Sequence, residues 1–382
     1  MSAILGIGVD IGIARLGYGL ALPAIRRQLP GPYGVYGAIG TLHFVGYLVG
    51  TLVAPALLRR DPGGRRSAIA SHAAAAIVLL ASAAAGSLVV FGIERTLLGI
   101  AGGLGVASVV TGTLERVAVA RRPGVSGRAW AGIGPGIVLS ALAAPAMLAH
   151  PNDWRVASVG AAGVALLAAV TLAIAFAEDV PLAPPASEVP FRLDDLLQPR
   201  RYLFLACAYF CFGTAYTAFA TFFVAALRAA NTSTSAIAVI WAAYGIAAFV
   251  GGLYVGRIMG ARRDGLSIVL GCGALGAAIV SIQGAFTAIA GALAVGLGLA
   301  AAPAIATALA RARSSAGTSA AAFVAVTAIV GAGQIAGPWI AGALADHLGP
   351  GSVTAFAGSV YALGAVLAFV DAKVAGAPRA ER

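Results

Sequence analysis

Twelve long apolar segments fill this chain of 382 residues almost from end to end. A hydrocarbon core about 30 Å thick requires roughly 20 apolar residues in each helical span. The composition, 60% hydrophobic and 10% charged, lies outside the range of a soluble domain. The pattern therefore predicts an all-α polytopic membrane protein with spans at residues 3–25, 34–58, 67–88, 90–115, 129–149, 154–177, 201–227, 234–258, 266–286, 288–310, 317–344 and 352–371.

The first apolar segment is interpreted as a retained span and not as a cleaved leader. No basic residue precedes it, and it carries Asp10 and Arg15 inside the apolar run. A secretory signal would show a basic region followed by a short apolar stretch. We therefore expect the first helix to remain part of the protein.

Basic residues are distributed unequally between the two sides of the predicted bundle. Most of the 25 Lys and Arg residues fall in segments on the side of the termini, whereas the opposite side carries only Arg26, Arg27, Arg155 and Arg228. Cytoplasmic loops of membrane proteins are enriched in Lys and Arg. The net charge of +11 therefore indicates membrane orientation, with both termini cytoplasmic, and no nucleic-acid partner is expected.

A hydrophilic segment divides the spans into two groups of six. Residues 178–200 combine acidic residues with several prolines, which a membrane span does not tolerate. We expect an N-terminal six-helix bundle at residues 1–177, a cytoplasmic linker at 178–200 and a C-terminal six-helix bundle at 201–382.

The two groups of spans repeat each other in sequence. Four pairs of segments match at equivalent spans: 103–107 and 296–300, 49–52 and 250–253, 65–66 and 262–263, and 134–136 and 331–333. Because each repeat has an even number of spans, the two repeats must run parallel in the membrane. Parallel six-helix halves are the architecture of major facilitator transporters, whose substrate site lies between the halves near the midplane.

Specific motifs resemble those of the major facilitator superfamily. After span 2, Asp61, Gly64, Arg65 and Arg66 match the loop motif Gly-x-x-x-Asp-Arg-x-Gly-Arg-Arg, while Leu57 and Pro62 replace its opening Gly and first Arg. Two further motifs of the superfamily have counterparts here, Arg95-x-x-x-Gly99 in span 4 and a shortened Gly-Pro motif at Gly134-Pro135 in span 5. These motif residues are assigned to gating by the resemblance.

Within the superfamily, the chain resembles the YbfB/YjiJ-like bacterial group. The resemblance is carried by segments 12–16 and 22–23, 209–216 with 221–222, and 333–338 with 342–346. It implies the major facilitator fold with 12 transmembrane helices, a transport function and a location in the bacterial inner membrane. It does not imply a substrate.

Charged residues inside the spans are the first candidates for function, because such residues usually face a cavity or a partner. Arg15 lies about 18 Å along span 1, at about 1.5 Å per residue, which is near the midplane. It either holds an anionic substrate group, pairs with a titrating acid, or forms a permanent ion pair. A regular α-helix places Asp10 about 140° from Arg15, on a different face.

Three residues are candidates for proton coupling: Asp10, Glu94 and His43. Asp10 is otherwise the partner of a basic residue on another span. Plain solvation is the alternative for Glu94, and plain packing is the alternative for His43. Arg95 is interpreted as structural or gating, with substrate contact as its alternative. His72, His150 and His347 are expected to have no specific role.

Aromatic and hydroxyl groups cluster in spans 1, 7 and 8, and Tyr18 and Tyr216 occupy matching positions in the two halves. Gln334 in span 11 requires a hydrogen-bond partner if it is buried. Packing is the alternative role for the aromatic residues. The candidate substrate-binding set is Arg15, Tyr18, Tyr209, Tyr216, Thr217, Trp241, Tyr244 and Gln334.

The sequence contains no Gly-x-x-x-x-Gly-Lys-Ser/Thr loop, so an ion gradient is expected to drive the protein, without a cofactor. The cysteines lie within spans and are interpreted as apolar packing residues, so no metal site is expected. We expect a monomeric secondary transporter, and not an enzyme, that moves a small organic solute with protons as coupling ion and membrane lipid around it. An organic anion is the substrate class that Arg15 indicates.

Three alternatives remain open at this point. The aromatic residues also suit a proton-coupled efflux antiporter for amphiphilic, drug-like compounds. An intramembrane enzyme would require a convergent cluster of catalytic side chains at one membrane face. A transporter-like sensor without flux is the third alternative.

Overall fold

The computed structural model describes residues 1–61, 63–118, 121–150, 153–177, 202–282, 284–313 and 319–374. The whole predicted linker, residues 178–200, and Pro62 lie outside these residues. The described residues form long helices and no strand. In chain order the twelve long helices are α1 Ser2–Gln28, α2 Tyr33–Leu58, α3 Arg65–Ser82, α4 Leu88–Glu115, α5 Ile133–Ala149, α6 Asp153–Ala175, α7 Phe204–Ala229, α8 Thr234–Gly260, α9 Gly265–Ser281, α10 Ala285–Ala312, α11 Ser319–Leu348 and α12 Ser352–Val374.

Ten of the twelve helices have the length and apolar composition to cross a membrane, α5 together with residues of the short helix Arg122–Trp130 that precedes it. The other two, α3 and α9, are shorter, with 18 and 17 residues. The prediction of an all-α polytopic membrane protein is confirmed.

Helix packing repeats between the two halves. The pairs α1–α5, α2–α4 and α3–α6 have their counterparts in α7–α11, α8–α10 and α9–α12. The halves meet through α2 with α11, α5 with α8, and α1 with α7. If the two halves are exchanged, the contact of α2 with α11 becomes that of α8 with α5, and the contact of α1 with α7 is unchanged, as expected for two parallel six-helix repeats.

Glycines at close helix crossings account for the positions of the repeated sequence segments. A Cβ atom on Gly103 of α4 would overlap the carbonyl oxygen of Tyr47 in α2, and one on Gly296 of α10 would lie 2.5 Å from the carbonyl oxygen of Tyr244 in α8. Small residues at such crossings allow helix backbones to approach closely. The matching segments are therefore the contact surfaces of equivalent helix pairs.

The third helix ends earlier than its apolar run predicts. The prediction extended span 3 to residue 88, but α3 ends at Ser82, and the Ser87 side chain accepts a hydrogen bond of 3.2 Å from the backbone N–H of Val90 at the start of α4. A serine in this position caps a helix N-terminus. Because α4 begins at Leu88, two residues before the predicted start of span 4, Arg95 lies about two turns inside it.

The first helix is not a regular α-helix throughout. Residues Gly8–Leu16 form a π-helix, with i→i+5 hydrogen bonds, so residues five apart follow each other along one side of the helix. The prediction that Asp10 and Arg15 point to different faces was therefore wrong, because it assumed a regular α-helix. A Cβ on Gly12 would lie 2.6 Å from the Cα of Gly136 in α5, so this stretch is packed closely against α5.

The halves are in close contact at the end of the bundle predicted to face outside. A Cβ on Gly19 of α1 would overlap the carbonyl oxygen of Ala220 in α7, and one on Gly37 of α2 would overlap that of Pro338 in α11. We call these contacts of α1 with α7 and of α2 with α11 the outer seam. The outer seam is closed in this structure.

Candidate functional site

A small cavity lies between the two halves, where α1, α2 and α4 of the first half meet α7 of the second. Its volume is about 10 Å³, close to the minimum that holds one water molecule. We call it the central cavity. It is lined by Arg15, Leu16, Tyr18, Gly19, Gly40, His43, Phe44, Arg95, Thr217, Ala220 and Thr221.

Arg15 lies on an aromatic surface. The centre of its guanidinium group is 3.9 Å from the ring centroid of Tyr47 and 5.3 Å from that of Phe44. The hydroxyl groups of Tyr47 and Tyr216 are its polar neighbours. The Nε and Nη2 atoms of Arg15 are buried and have no hydrogen-bond partner among the described residues.

Arg95 connects α4 to α1 by a hydrogen bond, and one of its N–H groups has no acceptor in the described residues. Its Nη1 donates a hydrogen bond of 2.6 Å to the carbonyl oxygen of Ala14, and its guanidinium centre lies 4.7 Å from the ring centroid of Tyr18. Its Nε is buried without a hydrogen-bond partner in the described part of the chain. The motif residue Gly99, one turn further on, is packed tightly against the carbonyl oxygen of His43 in α2.

His43 is fixed beside both arginines. Its Nδ1 is 3.0 Å from the carbonyl oxygen of Arg95. Because a carbonyl oxygen only accepts hydrogen bonds, Nδ1 carries the proton of this bond, and Nε2 is the nitrogen that remains for exchange. The structure therefore places this proton-coupling candidate in the wall of the central cavity.

The central cavity is positively charged. Neither Arg15 nor Arg95 forms an ion pair with a described residue. The ion pairs found among those residues are His72 with Asp10, Arg262 with Asp264, and Arg313 with Asp371. Asp10 acts on Arg15 electrostatically along α1 but is not within ion-pair distance. Buried charge without a partner is strongly unfavourable, so this pair of guanidinium groups is suited to hold an anion.

Several predicted substrate-binding residues meet at this place. Tyr18 and Thr217 line the central cavity. Tyr216 accepts a hydrogen bond of 2.6 Å from Nε2 of Gln334, and its hydroxyl faces Arg15. Tyr47 completes the group and was not singled out from the sequence. Its structural counterpart in the second half is Tyr244, because its carbonyl oxygen meets Gly103 as that of Tyr244 meets Gly296.

Three other predicted substrate-binding residues pack inside the bundle. Tyr209 stacks on Phe212 with ring centroids 5.7 Å apart. Trp241 donates a hydrogen bond of 3.0 Å from Nε1 to the Ser140 hydroxyl across the contact of α5 with α8. Tyr244 is fully buried beside Trp241. These side chains do not line the central cavity, and their substrate contact stays a prediction.

Asp10 forms a buried pair with a residue of another span, which was one of its two predicted roles, but His72 was not predicted to be the partner. Its Oδ2 lies 3.6 Å from Nε2 of His72 in α3, and both side chains are almost completely buried. Neither carboxylate oxygen of Asp10 has a hydrogen-bond partner in the described residues. Nδ1 of His72 is 2.9 Å from the carbonyl oxygen of Ala68. His72, expected to have no role, thus faces the most deeply buried acid of the first half.

Glu94 points away from the central cavity. It is buried near the outer end of α4, where the Ser82 hydroxyl and Arg155 are its neighbours. Arg155 in turn donates hydrogen bonds to the carbonyl oxygens of Ala83 and Ala85, at 2.7 and 2.8 Å. Glu94 therefore belongs to a polar cluster at the outer loop between α3 and α4.

The predicted gating motifs lie mostly within the first half. Asp61 accepts a hydrogen bond of 2.6 Å from the backbone N–H of Ser67 in the first turn of α3. Gly64 has φ +67°, which a side chain would strain, while Arg65 and Arg66 are exposed. Gly134 instead packs against α8 of the second half, and Pro135 is exposed beside it. No group of three metal-ligating side chains was found among the described residues.

The sequence and the arrangement of helices are matched by known proteins. The family described as "Uncharacterised MFS-type transporter YbfB" matches residues 7–370. The chain belongs to this family of MFS transporters. It is therefore a membrane transporter with a small-molecule substrate, as the sequence motifs predicted. Among curated proteins, none matches the chain in sequence.

Solved structures confirm the fold of the transporter. The human organic anion transporter MFSD10 (TETRAN) is 14% identical, with a TM-score of 0.66 over 96% of this chain and 98% of that one. A bacterial homologue of the human lysosomal transporter Spinster, in an inward-facing and occupied conformation, is 14% identical, with a TM-score of 0.67 over 98% and 94%. The inward-facing and unoccupied conformation of the same homologue is also 14% identical, with a TM-score of 0.68 over 98% of this chain and 95% of that one.

Proposed function

We propose that this protein is a secondary active transporter that moves a small organic anion across the membrane by proton-linked alternating access, and that it is not an enzyme. The observation that carries the proposal is the pair of buried guanidinium groups, Arg15 and Arg95, that line one cavity between the halves without an ion-pair partner in the described residues. A substrate carboxylate would neutralise them.

The surroundings of Arg15 support recognition of an anion and not of a cation. Tyr47 and Tyr216 add hydroxyl groups that can donate to carboxylate oxygens. In its present volume the cavity holds about one water molecule, so a substrate requires the halves to separate around it. The closed outer seam is one end state of such a movement.

Proton coupling is assigned to Asp10, with His72 as its partner. Asp10 is a buried carboxylate inside the span, it has no hydrogen-bond partner in the described residues, and it lies 3.6 Å from the ring of His72. The π-helix connects Asp10 to Arg15 along one side of α1. A proton gained or lost at Asp10 therefore changes the electrostatic field at Arg15.

The topology forms part of the same proposal. Both termini are placed in the cytoplasm of a bacterial cell, in its inner membrane, and residues 178–200 are assigned as a linker between bundles at 1–177 and 201–382. A monomer is sufficient, because the central cavity is built by one chain.

Flux measurements in proteoliposomes test the proposal. The purified protein would be reconstituted, and uptake of radiolabelled benzoate, succinate and laurate would be followed with and without an imposed proton gradient. Carboxylate uptake driven by the gradient, lost in Arg15→Gln and kept in the exposed control Arg257→Gln, is the expected result. No carboxylate flux in the wild type would contradict it.

The runner-up is proton-coupled efflux of amphiphilic, drug-like compounds. It is favoured by a large cavity inside the first half that is lined mostly by apolar side chains. The same vesicles distinguish it from the first proposal. A cationic dye expelled against proton movement, at a rate unaffected by Arg15→Gln, would establish efflux and leave Arg15 a structural role.

A further inference from the structure

A large cavity lies inside the first half and not between the halves. Its volume is about 410 Å³, and α1, α3, α4, α5 and α6 form its walls. Along α1 it extends from Ile13 to Ile25, which is about 18 Å at about 1.5 Å per residue. Aliphatic and aromatic side chains form most of its lining. We call it the lateral groove.

The lateral groove is sealed at its outer end and open toward the membrane. At the outer end Phe91 and Trp154 meet edge to face, with ring centroids 5.6 Å apart, and Trp154 donates a hydrogen bond of 3.0 Å to Oε1 of Gln28. At its side, the lining residues Leu142 and Gly160 are exposed on α5 and α6. The groove is therefore accessible from the side, between these two helices.

The polar groups in the groove point to one kind of ligand. The hydroxyls of Ser82, Ser140 and Ser158 each donate to a backbone carbonyl oxygen of their own helix. Arg95, only 5% exposed, is the charged lining residue, and its Nε has no hydrogen-bond partner in the described part of the chain. The groove therefore combines a long apolar wall with one unneutralised cation.

Arg95 also connects the groove to the central cavity. Arg95 and Tyr18 line both spaces, so they form the wall between them. A negatively charged group that reaches Arg95 from the groove is already beside the cavity that contains Arg15. The remainder of such a ligand would lie along α1, against aliphatic side chains.

We propose that the lateral groove binds a single-chain alkyl carboxylate, with its chain along α1 and its carboxylate at Arg95, and delivers it from the membrane to the central cavity. The delivery rests on the proposed anion transport, whereas binding in the groove is measurable on its own. The transported anion is then an amphiphile of the fatty-acid type.

Depth favours a carboxylate over a membrane phospholipid. Arg95 lies seven residues beyond Leu88, the first residue of α4, which is about 10 Å below the outer end of the helix. A phosphate with its glycerol and second chain stays at the interface, and the aromatic closure at Phe91 and Trp154 blocks that level. A small carboxylate on one chain can instead cross in its neutral form and ionise beside Arg95.

Photolabelling tests binding in the groove. The full-length protein in phosphatidylcholine nanodiscs would be labelled with laurate that carries a terminal diazirine, and labelled peptides would be mapped by mass spectrometry. We expect saturable labelling in α1, α5 and α6. Unlabelled laurate should compete about tenfold better than lauryl alcohol, because the alcohol lacks the charge that Arg95 binds.

Two pairs of variants identify the site. Ala161→Phe fills the groove from α6 and should reduce labelling at least about fivefold, whereas Val159→Phe places the same ring on the exposed face of α6 and should leave labelling unchanged. Arg95→Gln should remove the preference for laurate over lauryl alcohol, and Arg95→Lys should keep most of it. If Ala161→Phe is labelled as strongly as the wild type, the proposal is overturned.

Competition and transport separate the remaining outcomes. Displacement of the probe by phosphatidylglycerol as effectively as by laurate would make the groove a site for structural lipid and overturn the proposal. Saturable labelling without carboxylate flux would support groove binding and contradict the transport function. Laurate flux that is unchanged in Ala161→Phe would support transport and contradict delivery through the groove.

Discussion

The carboxylate of Asp346 accepts a hydrogen bond of 2.8 Å from the backbone N–H of Gly34, across the boundary between the two halves. It accepts a second bond, of 2.5 Å, from the N–H of Tyr33. The first N–H groups of a helix have no partner within the helix, and the helix dipole favours an anion there. The last turn of α11 thus caps α2, and the outer seam cannot open without breaking both bonds.

Asp346→Asn is expected to shift the protein toward an outward-open state. A neutral amide accepts more weakly than a carboxylate, and hydrogen bonds to charged groups contribute about 1.5–3 kcal/mol. We therefore expect about tenfold more of the open state, since about 1.4 kcal/mol corresponds to a factor of ten. The measurement is the rate at which an impermeant maleimide, added outside, labels Thr221→Cys in the central cavity of a variant without the native cysteines.

The control for this variant is Asp153→Asn. Asp153 lies in the first turn of α6, at the same end of the bundle but within one half. Asp153→Asn should leave unchanged the rate at which the maleimide labels Thr221→Cys. Equal labelling of Asp346→Asn and the parent protein would show that this carboxylate does not hold the seam closed.

Asp10→Asn is expected to separate substrate exchange from proton coupling. The amide keeps the size of the side chain but cannot gain or lose a proton, so the electrostatic field at Arg15 no longer follows the proton gradient. Counterflow of the anion should continue at a rate within about threefold of wild type, while accumulation driven by a proton gradient should be lost. Both are measured in the same proteoliposomes.

The histidine partner of Asp10 provides a graded comparison. His72→Gln removes the ring beside the Asp10 carboxylate and should weaken coupling without abolishing exchange, whereas His150→Gln, in the loop between α5 and α6, should behave as wild type. Full gradient-driven accumulation by Asp10→Asn would exclude this residue as the coupling site.

Gln334→Leu is expected to weaken anion binding without destabilising the bundle. It removes the donor that orients the Tyr216 hydroxyl, and one such hydrogen bond contributes about 1 kcal/mol, or roughly a fivefold change. The apparent KM for the carboxylate should rise about fivefold with a similar maximal rate. The control is Tyr361→Phe, which removes a buried hydroxyl without a partner in the described residues and should leave KM unchanged. If Gln334→Leu lowered only the maximal rate and left KM unchanged, a binding role for Gln334 would be contradicted.

The sequence allowed the fold to be predicted because its signals are regular and local. Apolar runs of the right length identify spans, and the repeated glycines mark equivalent helix crossings, such as Gly103 against Tyr47 and Gly296 against Tyr244. The end of α3 was misjudged because Ala83–Ala85 are as apolar as the helix before them. Ser87, which caps the N-terminus of α4, indicates the boundary between the two helices more accurately.

The site was predicted only in part because its contacts join distant segments. Arg15, Tyr18, Tyr216 and Gln334 could be proposed from polarity and repeat position. The pairing of His72 with Asp10 depends on how α3 packs on α1, which no local pattern encodes. The π-helix likewise accompanies close packing against Gly136 in α5, and the capping of α2 by Asp346 joins residues more than 300 positions apart.

Gly99→Ala is expected to destabilise the first half and to disturb the site at the same time. A methyl group there would overlap the carbonyl oxygen of His43, so α2 and α4 must separate. Overpacking of this kind typically costs about 1–3 kcal/mol. Because the Nδ1 of His43 is bonded to the carbonyl oxygen of Arg95, the separation also lengthens that bond. The midpoint of thermal unfolding in detergent should fall by several degrees.

The matched control is Gly163→Ala on the exposed face of α6, where a Cβ would meet no atom within 4 Å. Alanine is the better helix former by about 1 kcal/mol, so this variant should be as stable as wild type or slightly more so. The contrast distinguishes a packing requirement at Gly99 from a general intolerance of alanine for glycine. An unchanged unfolding midpoint for Gly99→Ala, with normal transport, would show that the Arg-x-x-x-Gly motif does not depend on the close approach of α2 and α4.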